Sequence, residues 1–272
     1  MRKIFRRGRP LFLTLASVVL YTGTARAESA GGSAPVTDDS GFAVLSNATN
    51  VTHWGLGVGV GIQQAPYKGY GSKYTPIPLF YFEDKWIHAF GTTIDLKIGQ
   101  WNSVVFSLRG KYEIGDGYKG SDAPILNGME TRAGAFWVGP ALAWHTAFGT
   151  LSGDFLSGGN KGQKASLDFG KSFDYGSLSI EPHIGAQWFS NKYVDYYYGV
   201  RESEVRAGRP AYSGESTIDE SVGAKFDYRV TPHQLVTVDL GVTHLGSGIT
   251  DSPLIGKRFT PTARIGYLYQ FN

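Results

Sequence analysis

Cysteine is absent from this chain. With no disulfide framework available, an exported protein of this size must be stabilised by a packed core or by a closed sheet. Beyond residue 27 no apolar run reaches the roughly 20 residues that a membrane-crossing helix needs. Catalytic signatures are missing as well. There is no Gly-x-Ser-x-Gly elbow. The glycine-rich run 57–61 alternates with valine as a strand does and opens no helix, which excludes a phosphate loop. The six histidines, His53, His88, His145, His183, His233 and His244, share no ligand spacing on one element. These absences lead us to expect no catalytic residues, no metal and no cofactor, and a protein that is not an enzyme.

A basic surface is missing too, once the N-terminus is set aside. Arg2, Lys3, Arg6, Arg7 and Arg9 precede an apolar run, 11–21, of signal-peptide length, and Ala25-Arg26-Ala27 fits a small-x-small cleavage site. Residues 1–27 are therefore expected to be a signal peptide. The whole chain carries 26 Lys+Arg and 23 Asp+Glu. The leader holds six of the basic residues and none of the acidic ones, which leaves 20 against 23, a formal net charge of −3. A nucleic-acid partner loses its electrostatic support.

What the chain does have is aromatic residues, glycine and alternation. Sixteen Tyr, sixteen Phe and six Trp accompany 37 Gly, a balance that suits a membrane β-barrel: aromatics at the two interfaces, glycine where strands bend or crowd. The stretch 259–271 is the clearest case. Phe259, Pro261, Ala263, Ile265, Tyr267, Tyr269 and Phe271 share one parity, while Thr260, Thr262, Arg264, Gly266 and Gln270 share the other with a single apolar exception, Leu268. Successive side chains of a strand point to opposite faces, so one face is apolar and the other polar or small. Trp54, Leu56, Val58, Val60 and Ile62 alternate with glycine in the same way, and comparable segments recur along the chain.

These patterns predict an all-β fold, a transmembrane antiparallel β-barrel of about twelve strands. The expected strands are 54–62, 76–83, 86–92, 94–99, 104–114, 132–145, 150–157, 163–173, 178–189, 217–229, 235–246 and 257–271. The barrel occupies 54–272, preceded by a periplasmic N-terminal segment, 28–53. Short turns alternate with long connections such as 63–74, 115–130, 192–216 and 247–256, as periplasmic turns alternate with external loops.

The polar parity supplies a candidate lumen lining: Asp95, Lys97, Arg109, Asp168, His183, Lys225 and Asp239. Hairpin counting puts Asp95 near Arg109, Asp168 opposite His183, and Lys225 or Asp227 opposite Asp239. Such charges either form a selectivity lining or fill the interior of a closed barrel. The loop 192–216 is the most distinctive external segment, and Tyr196, Tyr197, Tyr198, Gly199, Val200, Arg201 and Tyr212 are its candidate contact residues.

At this loop the chain resembles the MipA/OmpV family of outer-membrane proteins. The likeness rests on Tyr197-Tyr198-Gly199-Val200 with Ala207-Gly208 and Tyr212 downstream, on Pro76 and Pro78 leading into Leu79-Phe80, on Asp251-Ser252-Pro253-Leu254, and on the closing Tyr269-x-Phe271. Barrels of this class usually end on the aromatic itself; here Asn272 follows. The resemblance implies residence in the cell outer membrane, in contact with its lipid and lipopolysaccharide. It also implies a scaffold role towards a lytic transglycosylase and a peptidoglycan synthase. Passage of small solutes or antibiotics, and adhesion through external loops, are the other activities it implies. A scaffold with such short periplasmic turns is expected to work through the 28–53 segment.

Overall fold

The computed structural model describes residues 42–44 and 50–271. The expected signal peptide, and most of the segment that follows it, lie outside the described residues.

Twelve strands form the wall. They are β1 His53–Gln64, β2 Ser72–Glu83, β3 Ile87–Phe90, β4 Thr93–Trp101, β5 Val104–Tyr112, β6 Phe136–Thr146, β7 Gly149–Ser157, β8 Gln163–Gly170, β9 Leu178–Phe189, β10 Thr217–Thr231, β11 Gln234–His244 and β12 Phe259–Gln270. Each pairs antiparallel with its sequence neighbours, and β12 pairs with β1 from Gln270↔Gly55 to Thr262↔Gln63, closing the barrel. Closure pairs the first strand with the last, which removes the terminal edges of the sheet and satisfies most of its backbone groups internally, as a membrane-spanning structure requires.

The period-2 alternation becomes two faces. Leu56, Val58, Ile94, Leu96, Ile98, Leu142, Leu167, Leu240 and Ile265 stand exposed on the outer wall, while Asp95, Ser107, Arg109, Ser152, Ser221 and Asp239 are buried inside. A soluble β-sandwich would have the opposite arrangement, so the outward apolar face is the face for lipid. Trp54, stacked on Phe271 with centroids 4.1 Å apart, and Tyr269 lie at the rim where both ends of the wall meet, in the place of an interfacial aromatic girdle.

Some boundaries differ from those expected. The segment 132–145 divides: Arg132–Ala133 pairs with Gly117–Tyr118 in a separate ribbon above the wall, and only Phe136–Thr146 belongs to the barrel. The expected strand 86–92 shrinks to Ile87–Phe90, and the segment 163–173 stops at Gly170. Leu268, the one apolar residue on the polar parity, is 2% exposed and packs inside the barrel with Leu79, Phe90 and Leu235. It thus belongs to an apolar patch on the inner wall.

The shortness of β3 has two consequences. Below it, the edge of β4 is uncovered, and the strand Phe42–Val44 occupies that edge in register with 99–101. Above it, β2 loses its neighbour: β2 and β3 pair only over 81–83.

Candidate functional site

Inside the barrel most of the charged side chains are assembled into pairs, while Asp168 Oδ2 has no hydrogen-bond partner among the described residues. The Asp95↔Arg109 register of β4 and β5 places the two opposite each other. Arg109 donates from Nε to Asp95 Oδ1 at 2.8 Å and from Nη2 to Asp95 Oδ2 at 2.7 Å, and its Nη1 donates to Asp154 Oδ2 at 2.9 Å. Ser166 completes the group by donating from Oγ to Asp154 Oδ1 at 2.7 Å. A planar guanidinium engaging one carboxylate with two parallel bonds and a second with a third is the geometry for which arginine is suited. Lys225 Nζ lies 3.5 Å from Glu181 and 3.3 Å from Asp227. Asp239 stands 3.7 Å from His183 and 3.8 Å from Arg264. Lys97 and His88 both hold Glu83.

Two of the three expected pairings of register are present: Asp95↔Arg109, and Lys225↔Asp239. The third is corrected. Asp168 is level with Gly185, not with His183, which is level with Gly170. The expected hairpin had a four-residue turn, 174–177. The real one turns on Gly176 and Ser177 alone, with Tyr175 level with Leu178 and Gly176 at φ 64°. Glycine reaches this left-handed conformation without steric cost, and the tighter turn moves the whole register by two residues.

Of the candidate lumen residues, Lys97 and Asp168 are half-buried and the other five lie deep. Asp95 and Arg109 are each 3% exposed, Lys225 is 4% and Asp239 is 2%. A passage wide enough for a solute would leave its lining open to water. These values instead describe side chains that fill the barrel.

The end that bears the long connections is covered. Connections 65–71, 113–135, 190–216 and 245–258 pack on one another around Tyr67, Tyr118, Leu126, Trp137, Tyr197 and Leu254. The expected loop 192–216 begins with α1, Asn191–Tyr198, capped by the Ser190 hydroxyl accepting from Tyr193 N. Its contact candidates point mostly inwards. Tyr197, Gly199 and Val200 are buried and Tyr196, Tyr198 and Tyr212 half-buried, whereas Arg201 is exposed. They stitch the cap together: Tyr197 donates from its hydroxyl to Ala133 O at 3.3 Å, Tyr212 to Gly248 O at 2.8 Å, and Val200 and Tyr212 exchange backbone bonds of 2.9 and 3.0 Å. Their aromatic surface is spent on packing, so a surface contact through this loop falls to Arg201 and its exposed neighbours.

Three residues of the cap were not singled out from the sequence. Arg132 donates from Nη2 to both oxygens of Glu204 at 2.9 Å, and Arg209 reaches the carbonyls of Glu204, Ile125 and Asn127. Arg132 sits on the connection 113–135 and the other two on 190–216, and nothing local marks Arg132 as their partner. Just inside the cap, Glu113 takes ion pairs from Lys111 at 3.1 Å and from Lys164. Burial raises the affinity of Glu113 for a proton, but the two lysines outweigh it and hold the carboxyl well below the ordinary range. Burial, then the adjacent Glu113 charge, pushes Asp116 well above it.

The fold and its outward apolar face define the class: an outer-membrane β-barrel whose long connections pack into a cap over one end. The family model described as MltA-interacting protein MipA matches residues 56–271, and the chain belongs to that family. It is similar to the MltA-interacting protein of Escherichia coli K12, 27% identical over 248 residues that cover 84% of this chain and 96% of the relative. It is also similar to outer membrane protein OmpV of Vibrio cholerae, 29% identical over 151 residues that cover 54% of this chain and 59% of the relative. Among solved structures it is similar to a NanC porin at 10% identity, covering 79% of this chain and 98% of the porin, with a TM-score of 0.39; an overlap this loose carries no argument about function.

Proposed function

We propose that this protein is a non-enzymatic scaffold in the outer membrane that engages peptidoglycan-remodelling enzymes from its periplasmic side, a lytic transglycosylase first and a peptidoglycan synthase with it. The observation that carries this reading over a solute pore is the depth of four lumen charges, Asp95, Arg109, Lys225 and Asp239, which are only 2–4% exposed. The name of the Escherichia coli relative, an MltA-interacting protein, supports the choice of partner.

The periplasmic side has one feature that could serve as a handle. Phe42–Val44 lies along β4 at the rim, and Asn50 Oδ1 accepts from Lys85 N at 3.0 Å. The N-terminal segment is thus strapped to the wall at two points before β1 begins. A segment held at its base loses less conformational entropy on binding than a free tail does.

The test is capture of a purified lytic transglycosylase by the folded barrel in detergent. The full mature protein is expected to retain it, and a version lacking residues 28–50 is expected to lose it. A version whose loop 192–216 has been exchanged should bind as well as the parent. Capture that survives the N-terminal deletion would overturn the reading. The same preparations should be silent in a planar bilayer. Ohmic steps that change size when Lys225 is replaced by Gln would instead favour the pore.

A further inference from the structure

The wall has a window. From residue 72 to 79, β2 has no strand beside it on the side away from β1 among the described residues, because the β3–β4 hairpin turns at Gly91 and Thr92, part-way up the barrel. The last backbone bond on this edge is Gly91 N to Phe80 O at 2.8 Å, and on the far side Tyr112 N donates to Thr92 O at 3.0 Å. Above the tip the edges rejoin, where Lys73 Nζ donates to Gly117 O at 2.7 Å.

Two residues mark this edge as adapted to lie open. Phe80 directs its carbonyl to the β3 side, so residues 76 and 78, of the same parity, present their backbone nitrogens to the gap. Both are proline. Proline has no N–H to leave unpaired, and it blocks pairing with a foreign strand. Their carbonyls still face outwards, and an open edge is tolerated at membrane depth only where it borders a cavity or is covered.

Such a cavity exists. It has a volume of about 250 Å³ and is lined by apolar Pro76, Tyr112 and Ile114 at the window and by charged groups of both signs within, Asp95 with Arg109, Glu113 with Lys111, Asp116, and Arg264. Lys111 is paired with Glu113. Arg264 is the cation with most to offer: its side chain is 35% exposed and the carboxylate it faces, Asp239, is 3.8 Å away. Apolar mouth, polar interior and a loosely held guanidinium together select a molecule with an anionic head and an apolar tail.

We infer that this cavity binds the phosphate or carboxylate head of a single-chain anionic amphiphile at Arg264, with the chain leaving through the window between Pro76 and Ile114 into the bilayer. The site depends on the barrel wall and not on the periplasmic segment, so it stands or falls separately from the scaffold.

The experiment is calorimetric titration of the folded full-length protein, held in a neutral maltoside detergent, with dodecyl phosphate, laurate and inorganic phosphate. Saturable single-site binding of dodecyl phosphate is expected. Laurate binding the same site would assign it to free fatty acids as well as phospho-amphiphiles. Arg264→Gln should weaken binding by about tenfold, the usual scale for losing a charge-assisted contact. Thr92→Trp, which crowds the hairpin tip without touching the charges, should do the same, and Arg229→Gln at the periplasmic rim should change nothing. Absence of saturable binding by folded protein would overturn the inference. So would binding indifferent to Thr92→Trp, or inorganic phosphate competing as strongly as dodecyl phosphate, since neither then uses the window.

Discussion

Gly57→Val should prevent the barrel from closing, seen as loss of the compact, heat-modifiable band on electrophoresis of refolded protein. Position 57 lies on the inner face of β1, where the first strand meets the last. A Cβ there would stand 2.0 Å from Tyr267 O and 2.8 Å from the Leu268 Cα. Both obstacles are main chain of β12, which no rotamer change can move. Overpacking costs about 1–3 kcal/mol even where side chains can yield; here relief requires parting the pair of strands that seals the wall. Gly61→Ala is the control. It lies on the same strand and face, but its nearest neighbour would be the Ile77 Cδ1 methyl at 3.4 Å, so this variant should fold. A folded Gly57→Val barrel would mean that β1 and β12 are further apart than described.

The same glycines show how far the sequence could be read. Alternation is local, so the twelve strands and the two faces of the wall were visible in it. The Asp95–Arg109 pair was reachable because a short tight turn connects β4 and β5. The Asp168–His183 pairing failed on one residue: Gly176 in the left-handed region shortens the turn, and register depends on turn geometry rather than on strand pattern. Leu268 broke the alternation for a reason held elsewhere, the apolar patch of Leu79, Phe90 and Leu235. The tyrosines at 196–198 were visible as unusual, but their burial depends on four loops meeting in space, and sequence spacing does not encode that meeting. The window was hidden for a related reason. Pro76 and Pro78 stood out, yet their meaning depends on β3 ending at Phe90.

Replacing Arg109 by Met is expected to lower the stability of the barrel by about 3–5 kcal/mol, the cost of leaving a buried pair half-occupied, read as a lower urea midpoint for unfolding from lipid vesicles. Arg109, Asp95 and Asp154 all have side chains only 4% exposed, so the two carboxylates would be left without their cation and with little water. Arg109→Lys should recover only part of the loss. An ammonium keeps the charge, but it cannot make two parallel bonds to Asp95 and a third to Asp154. The decisive variant combines Arg109→Met with Asp95→Asn and Asp154→Asn. Removing all three charges removes the penalty with them, and stability should return to within about 1 kcal/mol of the parent, because buried ion clusters replaced as a unit are often neutral. The pattern separates the two meanings of a charged lumen. If these residues lined a conducting path, water would screen the orphaned carboxylates, Arg109→Met would cost little, and the change would register in conductance. If they fill the interior, the cost falls on folding and the bilayer stays silent. A large single-variant loss with rescue by the triple variant would show that the charges hold the barrel shut, leaving its rims and wall as the surfaces through which it acts.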